Sequence, residues 1–176
     1  MLAATLGISS SSLYAAFGTK NELFDEAVRS YALRYSKIYD RALSEPTASG
    51  VIRRLLLESV DEFTRTDEGH PGCLTSSAVM SDASSTLDVR TYVADLQRAD
   101  EARLRGRLEQ AALDGTLAPT VHPAELAELV QTLWQGLSTR AELGAGRDEL
   151  ISVANLALAL ISSPDAGAPP IPASLV

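Results

Sequence analysis

Between Thr19 and Leu43 the chain places an apolar side chain every three or four residues, at Phe24, Ala27, Val28, Tyr31, Tyr35, Ile38 and Ala42. That spacing lines one face of an α-helix and does not alternate as a half-buried strand must. Both ends of the stretch are marked. Thr19 and Glu22 have capping-box spacing at its start, and Glu45-Pro46 interrupts it after its end. The same period returns along the rest of the chain, and no segment reads convincingly as a strand. The sequence therefore calls for an all-α fold.

The other helices follow from local signals. Gly7 closes a short stub from Leu2 to Leu6, and Ser9 stands where it can N-cap a helix from Ser10 to Phe17. Gly18 supplies the positive φ that ends such a helix. A second long helix is expected from Ala48 to Arg65, with Ile52, Leu55, Leu56, Val60 and Phe63 inward. The loop Gly69-His70-Pro71-Gly72 leads to a short helix from Leu74 to Ser81. Ser85 and Asp88 have capping-box spacing for a helix reaching Leu113, whose middle, Arg98 to Glu109, alternates in charge as a solvated face does. His122 is expected to cap a helix that opens with Pro123 and ends near Gly144. The last helix, Arg147 to Ile161, is apolar over much of its circumference, the pattern of a helix buried on two sides. Residues 164–176 contain four prolines and are expected to be disordered.

Composition narrows the function. With 176 residues, 45% of them hydrophobic, the chain can bury a substantial core. No apolar run is long enough for a membrane span, and the start lacks the basic and apolar regions of a signal peptide. A cytoplasmic protein with no membrane partner is expected. Cys73, between Gly72 and Leu74, has no neighbouring cation to lower its pKa and reads as a small buried residue. His70 and His122 are isolated, so no metal site and no cofactor are expected. The acid pairs Asp67-Glu68, Asp100-Glu101 and Asp148-Glu149 read as solvated or helix-start charges. No nucleophile–base pair or phosphate-cradling glycine loop is present, so the chain does not read as an enzyme. Its net charge is −8. Residues 1–45 hold five basic and five acidic side chains, so all the excess acidity belongs to the remainder.

The run Gly-Ile-Ser-Ser-Ser-Ser-Leu-Tyr-Ala-Ala-Phe-Gly-Thr-Lys-Asn-Glu-Leu-Phe, Gly7 to Phe24, resembles the tetracycline-repressor (TetR) family of bacterial regulators. The matched pattern is a glycine turn, an apolar residue, a serine N-cap, then Leu-Tyr, Phe, a Gly-Thr-Lys step, and an acidic residue before Leu and an aromatic. Gly72-Cys73-Leu74, Gly136-Leu137 and Arg140 to Leu150 match one branch of the family more loosely. The family's first helix and the start of its second have no counterpart here. The chain is therefore expected to be an N-terminally truncated member.

The resemblance implies a partial helix-turn-helix over residues 1–28, with its recognition helix at about 10–17, and a ligand-binding and dimerisation bundle over 29–163. Ser10, Ser11 and Ser12 would face the DNA major groove, while Tyr14 and Lys20 would hold phosphates. Serine hydroxyls donate and accept, and so discriminate bases weakly; Ala15 and Ala16 depart from the family's longer side chains. Leu13 and Phe17 would pack inward. Leu56, Val60, Phe63, Met80, Tyr92, Leu96 and Trp134 are candidates for a pocket holding a small, largely apolar effector. Leu126, Leu129, Leu133, Leu137, Leu150, Val153 and Leu158 are candidates for the homodimer interface. The implied activity is that of a ligand-responsive regulator, a repressor, whose partners are double-stranded operator DNA, the effector and a second copy of the chain. The alternative is a dimeric small-molecule-binding or interaction module that does not bind DNA, which the incomplete helix-turn-helix and the acidic charge favour.

Overall fold

The computed structural model describes residues 7, 9–65, 71–80 and 88–162, and over these residues the chain is all-helical. Among the described residues seven helices follow one another: α1 (Ser10–Phe17), α2 (Lys20–Leu43), α3 (Ala48–Phe63), α4 (Leu74–Met80), α5 (Val89–Leu113), α6 (Pro123–Glu142) and α7 (Arg147–Ile161). The Leu2 to Leu6 stub, His70, Ser85 and the proline-rich tail lie outside the described residues. Among the described residues no helix is long and apolar enough to cross a membrane.

The start signals act largely as the sequence indicates. The Ser9 side chain accepts the Ser12 N–H at 3.0 Å, and Gly18, at φ 74°, returns its N–H to the Tyr14 carbonyl at 2.8 Å. Thr19 Oγ1 accepts the Glu22 N–H at 3.2 Å, while the Thr19 N–H donates to Glu22 Oε2 at 2.7 Å, a complete capping box. Three details differ. Helix α3 ends two residues before Arg65, because Thr64 closes it by donating its N–H and hydroxyl to the Val60 carbonyl. Asp88 is itself the N-cap of α5, accepting from the Thr91 N–H at 3.0 Å, and is not the third residue of a box begun at Ser85. His122 occupies the N-cap of α6 without a side-chain capping bond, and Pro123 at the first position leaves one fewer N–H to cap.

The core forms around α3, which packs on α2, α6 and α7 and buries Val51, Ile52, Leu55, Leu56, Val60 and Phe63. Helix α5 adds Leu104, Leu108 and Ala111 to that core, α6 adds Val130, Trp134 and Leu137, and α7 adds Leu150, Ala154 and Leu158. A smaller cluster of Val28, Ala78, Val89 and Val93 joins the first half of α2 to α4 and to the start of α5. Helix α1 packs against α2 through Leu13, which is buried. Phe17, which the family resemblance places inward, is 41% exposed, one residue before the chain turns at Gly18.

Gly72 fixes the entry to α4. It sits at φ +96°, and a Cβ there would lie 2.1 Å from Glu142 Cγ at the end of α6. Glu142 also accepts a 2.5 Å hydrogen bond from Ser77, which swinging clear would break. Gly72→Ala is expected to lower stability by about 1–3 kcal/mol through backbone strain alone, with the clash added to it. Urea unfolding followed by circular dichroism checks this, and adding Glu142→Ala is expected to recover only the clash.

Candidate functional site

Two parts of the molecule present chemistry that the core does not consume: the outer face of α1 and a cavity enclosed by α2, α4, α5 and α6. They are connected by α2, which packs on α1 at its start and lines the cavity in its second half.

On α1, the Leu13 anchor turns Ser11, Ser12, Tyr14, Ala15 and Ala16 outward, and all five are exposed. Ser10 opens the helix. The Ser9, Ser11 and Ser12 hydroxyls form a local network, with Ser9 Oγ at 2.8 Å from Ser11 Oγ and 2.9 Å from Ser12 Oγ. Tyr14 is half exposed, and Lys20 is exposed at the first position of α2. The Thr19–Glu22 capping box holds the step between the two helices. The backbone hydrogen bond from Thr19 keeps the Glu22 carboxyl below its ordinary pKa, so the box is made with a carboxylate. This end of the molecule offers hydroxyls, methyl groups, one phenol and one ammonium, with no arginine, asparagine or glutamine among the outward residues of α1.

The cavity is small, about 70 Å³. Tyr35 and Tyr39 of α2, Val93, Leu96 and Asp100 of α5, and Gln131 and Trp134 of α6 lie on its wall. Behind it the Trp134 indole N–H reaches both the Tyr35 hydroxyl and Ser59 Oγ, the latter at 3.1 Å, and Tyr35 donates to Ser59. Trp134 meets Tyr35 and Phe63 edge-on, with ring centroids 5.0 and 5.3 Å apart. Tyr39 donates to Gln131 Oε1 at 2.7 Å. Burial holds the Tyr35 and Tyr39 hydroxyls well above the ordinary phenol pKa, and it does the same for Tyr31. Burial also raises the Asp100 carboxyl, with Arg103 at 3.4 Å opposing the rise.

Of the pocket candidates drawn from the sequence, Leu96 and Trp134 line this cavity. Leu56, Val60 and Phe63 do not: they are fully buried, and their side of α3 faces the packed core. Tyr92 packs instead on the smaller cluster, with the Arg29 guanidinium 4.8 Å above its ring. Nothing is described of the Met80 side chain. Asp100, read from sequence as solvated, is half-buried and faces the cavity. The signal for it was available, since Val93, Leu96, Asp100 and Leu104 follow helical spacing on one stripe of α5. Cys73 is buried, as expected, with Sγ 2.9 Å from Thr75 Oγ1.

A wider groove of about 400 Å³ runs between α2 and α3, but its charges already pair across it, Arg34 with Glu62 at 2.7 Å and Arg41 with Glu58 at 2.6 Å. The outer surface of α6 and α7 is different, because several of its exposed residues are large and apolar. Leu129, Val153, Leu156 and Leu160 are exposed there, and Leu133 is half-buried. Leu126, Leu137, Leu150 and Leu158, expected at a dimer interface, instead point into this chain's own core and are buried by it. Sequence periodicity had not separated the two faces of α7, and Leu156 and Leu160 belong to the outer one.

No protein-family model and no curated protein sequence matches the chain, but solved structures do. A cysteine variant of the TetR-family regulator CifR, in complex with 26-bp operator DNA, is 32% identical with a TM-score of 0.75, over 89% of this chain and 82% of that one. A protein of a Rhodococcus species described as a TetR transcriptional regulator is 31% identical, TM-score 0.67, over 91% and 85%. PfmR from Thermus thermophilus, at 20% identity and TM-score 0.68, shares the fold.

The buried tyrosines generate an alkaline test. In the unfolded chain a phenol loses its proton near pH ~10, whereas folded Tyr31, Tyr35 and Tyr39 keep theirs. Their stabilisation is therefore complete below about pH 10 and declines as the pH rises beyond it. Phenolate absorbance from these three is expected to appear together with the loss of helical circular dichroism. Tyr35→Phe is expected to make the decline in stability shallower.

Proposed function

The chain belongs to the TetR family of transcriptional regulators, and on that premise we propose that it is a ligand-responsive repressor that binds operator DNA as a homodimer. The observation that carries the proposal is α1. It is an eight-residue helix capped at both ends, anchored by one buried leucine, with Ser11, Ser12, Tyr14, Ala15 and Ala16 exposed. Ser10, Ser11 and Ser12 at its N-terminal end meet base edges, and Tyr14 and Lys20 hold phosphates on either side. CifR, the 32% relative, has been captured on double-stranded operator DNA. The solved relatives are transcriptional regulators.

Dimerisation uses the α6–α7 face. Leu129, Leu133 and Gly136 follow one helical stripe of α6, and Val153, Leu156 and Leu160 one of α7. A Cβ added at Gly136 would meet nothing within 4 Å, so this glycine leaves open room on its helix. Two such faces brought together bury their leucines and set two α1 helices at the spacing of successive major grooves, roughly 34–36 Å. The cavity wall formed by Tyr35 and Tyr39 belongs to the same helix that carries α1. An effector that favours a displaced α2 would spoil the spacing, provided it binds that conformer more tightly than the DNA-bound one.

Band-shift assays with the DNA upstream of its own gene test the reading: sequence-selective binding is expected, and its absence counts against DNA recognition. Lys20→Ala is expected to weaken binding about equally across sequences and to reduce the salt slope by about one. Leu156→Asp is expected to give a folded monomer by analytical ultracentrifugation, with operator binding lost alongside.

A further inference from the structure

We propose that the cavity between α2, α5 and α6 receives a small organic cation, an alkylammonium head group, and that Asp100 selects it. The inference rests on the reading of this cavity as the effector site. The aromatic side chains of Tyr35, Tyr39 and Trp134 line it, and Asp100 is the one charged side chain among the described residues on its wall. Aromatic faces carry negative charge density, and an ammonium group set against them is attracted without a directional hydrogen bond. A carboxylate adds a full opposite charge. An anion would meet that carboxylate with no lysine or arginine on the wall to offset it, and an uncharged hydrocarbon would leave it without a partner in the cavity.

Asp100 has charge to spare for a ligand. Its described partner, Arg103, reaches it at 3.4 Å and makes its shorter contact with Asp40 instead. Gln131 already spends its carbonyl on the Tyr39 hydroxyl. Burial disfavours the ionised form of Asp100, as the upward displacement of its pKa records, and a bound cation would reverse that preference. Size sets a second limit. The volume of about 70 Å³ is roughly half that of the ~150 Å³ apolar cavity known to admit benzene. It suits a head group of a few heavy atoms.

The chain has a single tryptophan, Trp134, on the cavity wall, so its emission reports on this site alone. The 176-residue protein is titrated with propylammonium and, separately, with 1-propanol, which has the same chain length with a hydroxyl in place of the charged nitrogen. Propylammonium is expected to change the emission saturably, with an affinity at least about tenfold above that of the alcohol. Asp100→Asn, checked for unchanged helical circular dichroism, is expected to remove that advantage while leaving alcohol binding as it was. If the alcohol binds as tightly as propylammonium, or Asp100→Asn leaves propylammonium binding unchanged, the cavity remains a ligand site but selection of a cation is overturned. If neither compound alters the emission, both the inference and the effector-site reading beneath it fail.

Discussion

The structure depends on three polar atoms shared where α2, α3 and α6 meet: the Tyr35 hydroxyl, Ser59 Oγ and the Trp134 indole nitrogen. Each would be costly to bury alone, since a buried donor or acceptor without a partner forfeits its hydration. Together they satisfy one another inside an otherwise apolar core, and only one relative placement of the three helices allows it. Hydrophobic burial alone tolerates small slips between helices, whereas a shared hydrogen-bond centre does not. The Phe63, Tyr35 and Trp134 rings pack around this centre and make the adjoining cavity wall rigid on one side.

That rigidity is uneven. On the α2 and α6 side the wall is formed by buried residues, Tyr35, Tyr39, Gln131 and Trp134. On the α5 side it is formed by half-buried Leu96, Gln97 and Asp100, near the solvent-exposed charges of the same helix. A change in cavity contents therefore meets a fixed face and a yielding one. The contact between Arg29 and Tyr92, and the small cluster around Val28 and Val93, join α5 to the first half of α2.

The helices were legible in the sequence because their signals are local. Thr19 with Glu22, Ser9 with Ser12, and Pro123 at a first turn each act within four residues, and each appears in the structure as read. Which side of a helix faces which neighbour was less legible. The leucines of α6 and α7 are equally apolar in sequence, yet Leu150 and Leu158 fill the core while Leu156 and Leu160 face outward. Hydrophobicity records that a residue avoids water, not which surface it avoids water with. Asp100 was misread for the converse reason: a charge beside another charge looks solvated until the stripe on which it lies is followed across the helix.

Only Gly18 and Thr19 separate α1 from α2, and the capping box ties Thr19 to the first turn of α2. The connection has almost no slack, so the short helix moves with the long one. Tyr35 stands fifteen residues from Lys20 along α2. At 1.5 Å per residue that is an arm of about 22 Å, and a tilt of ~5° at the cavity would carry the far end through ~2 Å. Geometrically, α1 sits at the far end of α2 from the packing around Ser59, so any tilt of α2 about that packing would be largest at α1.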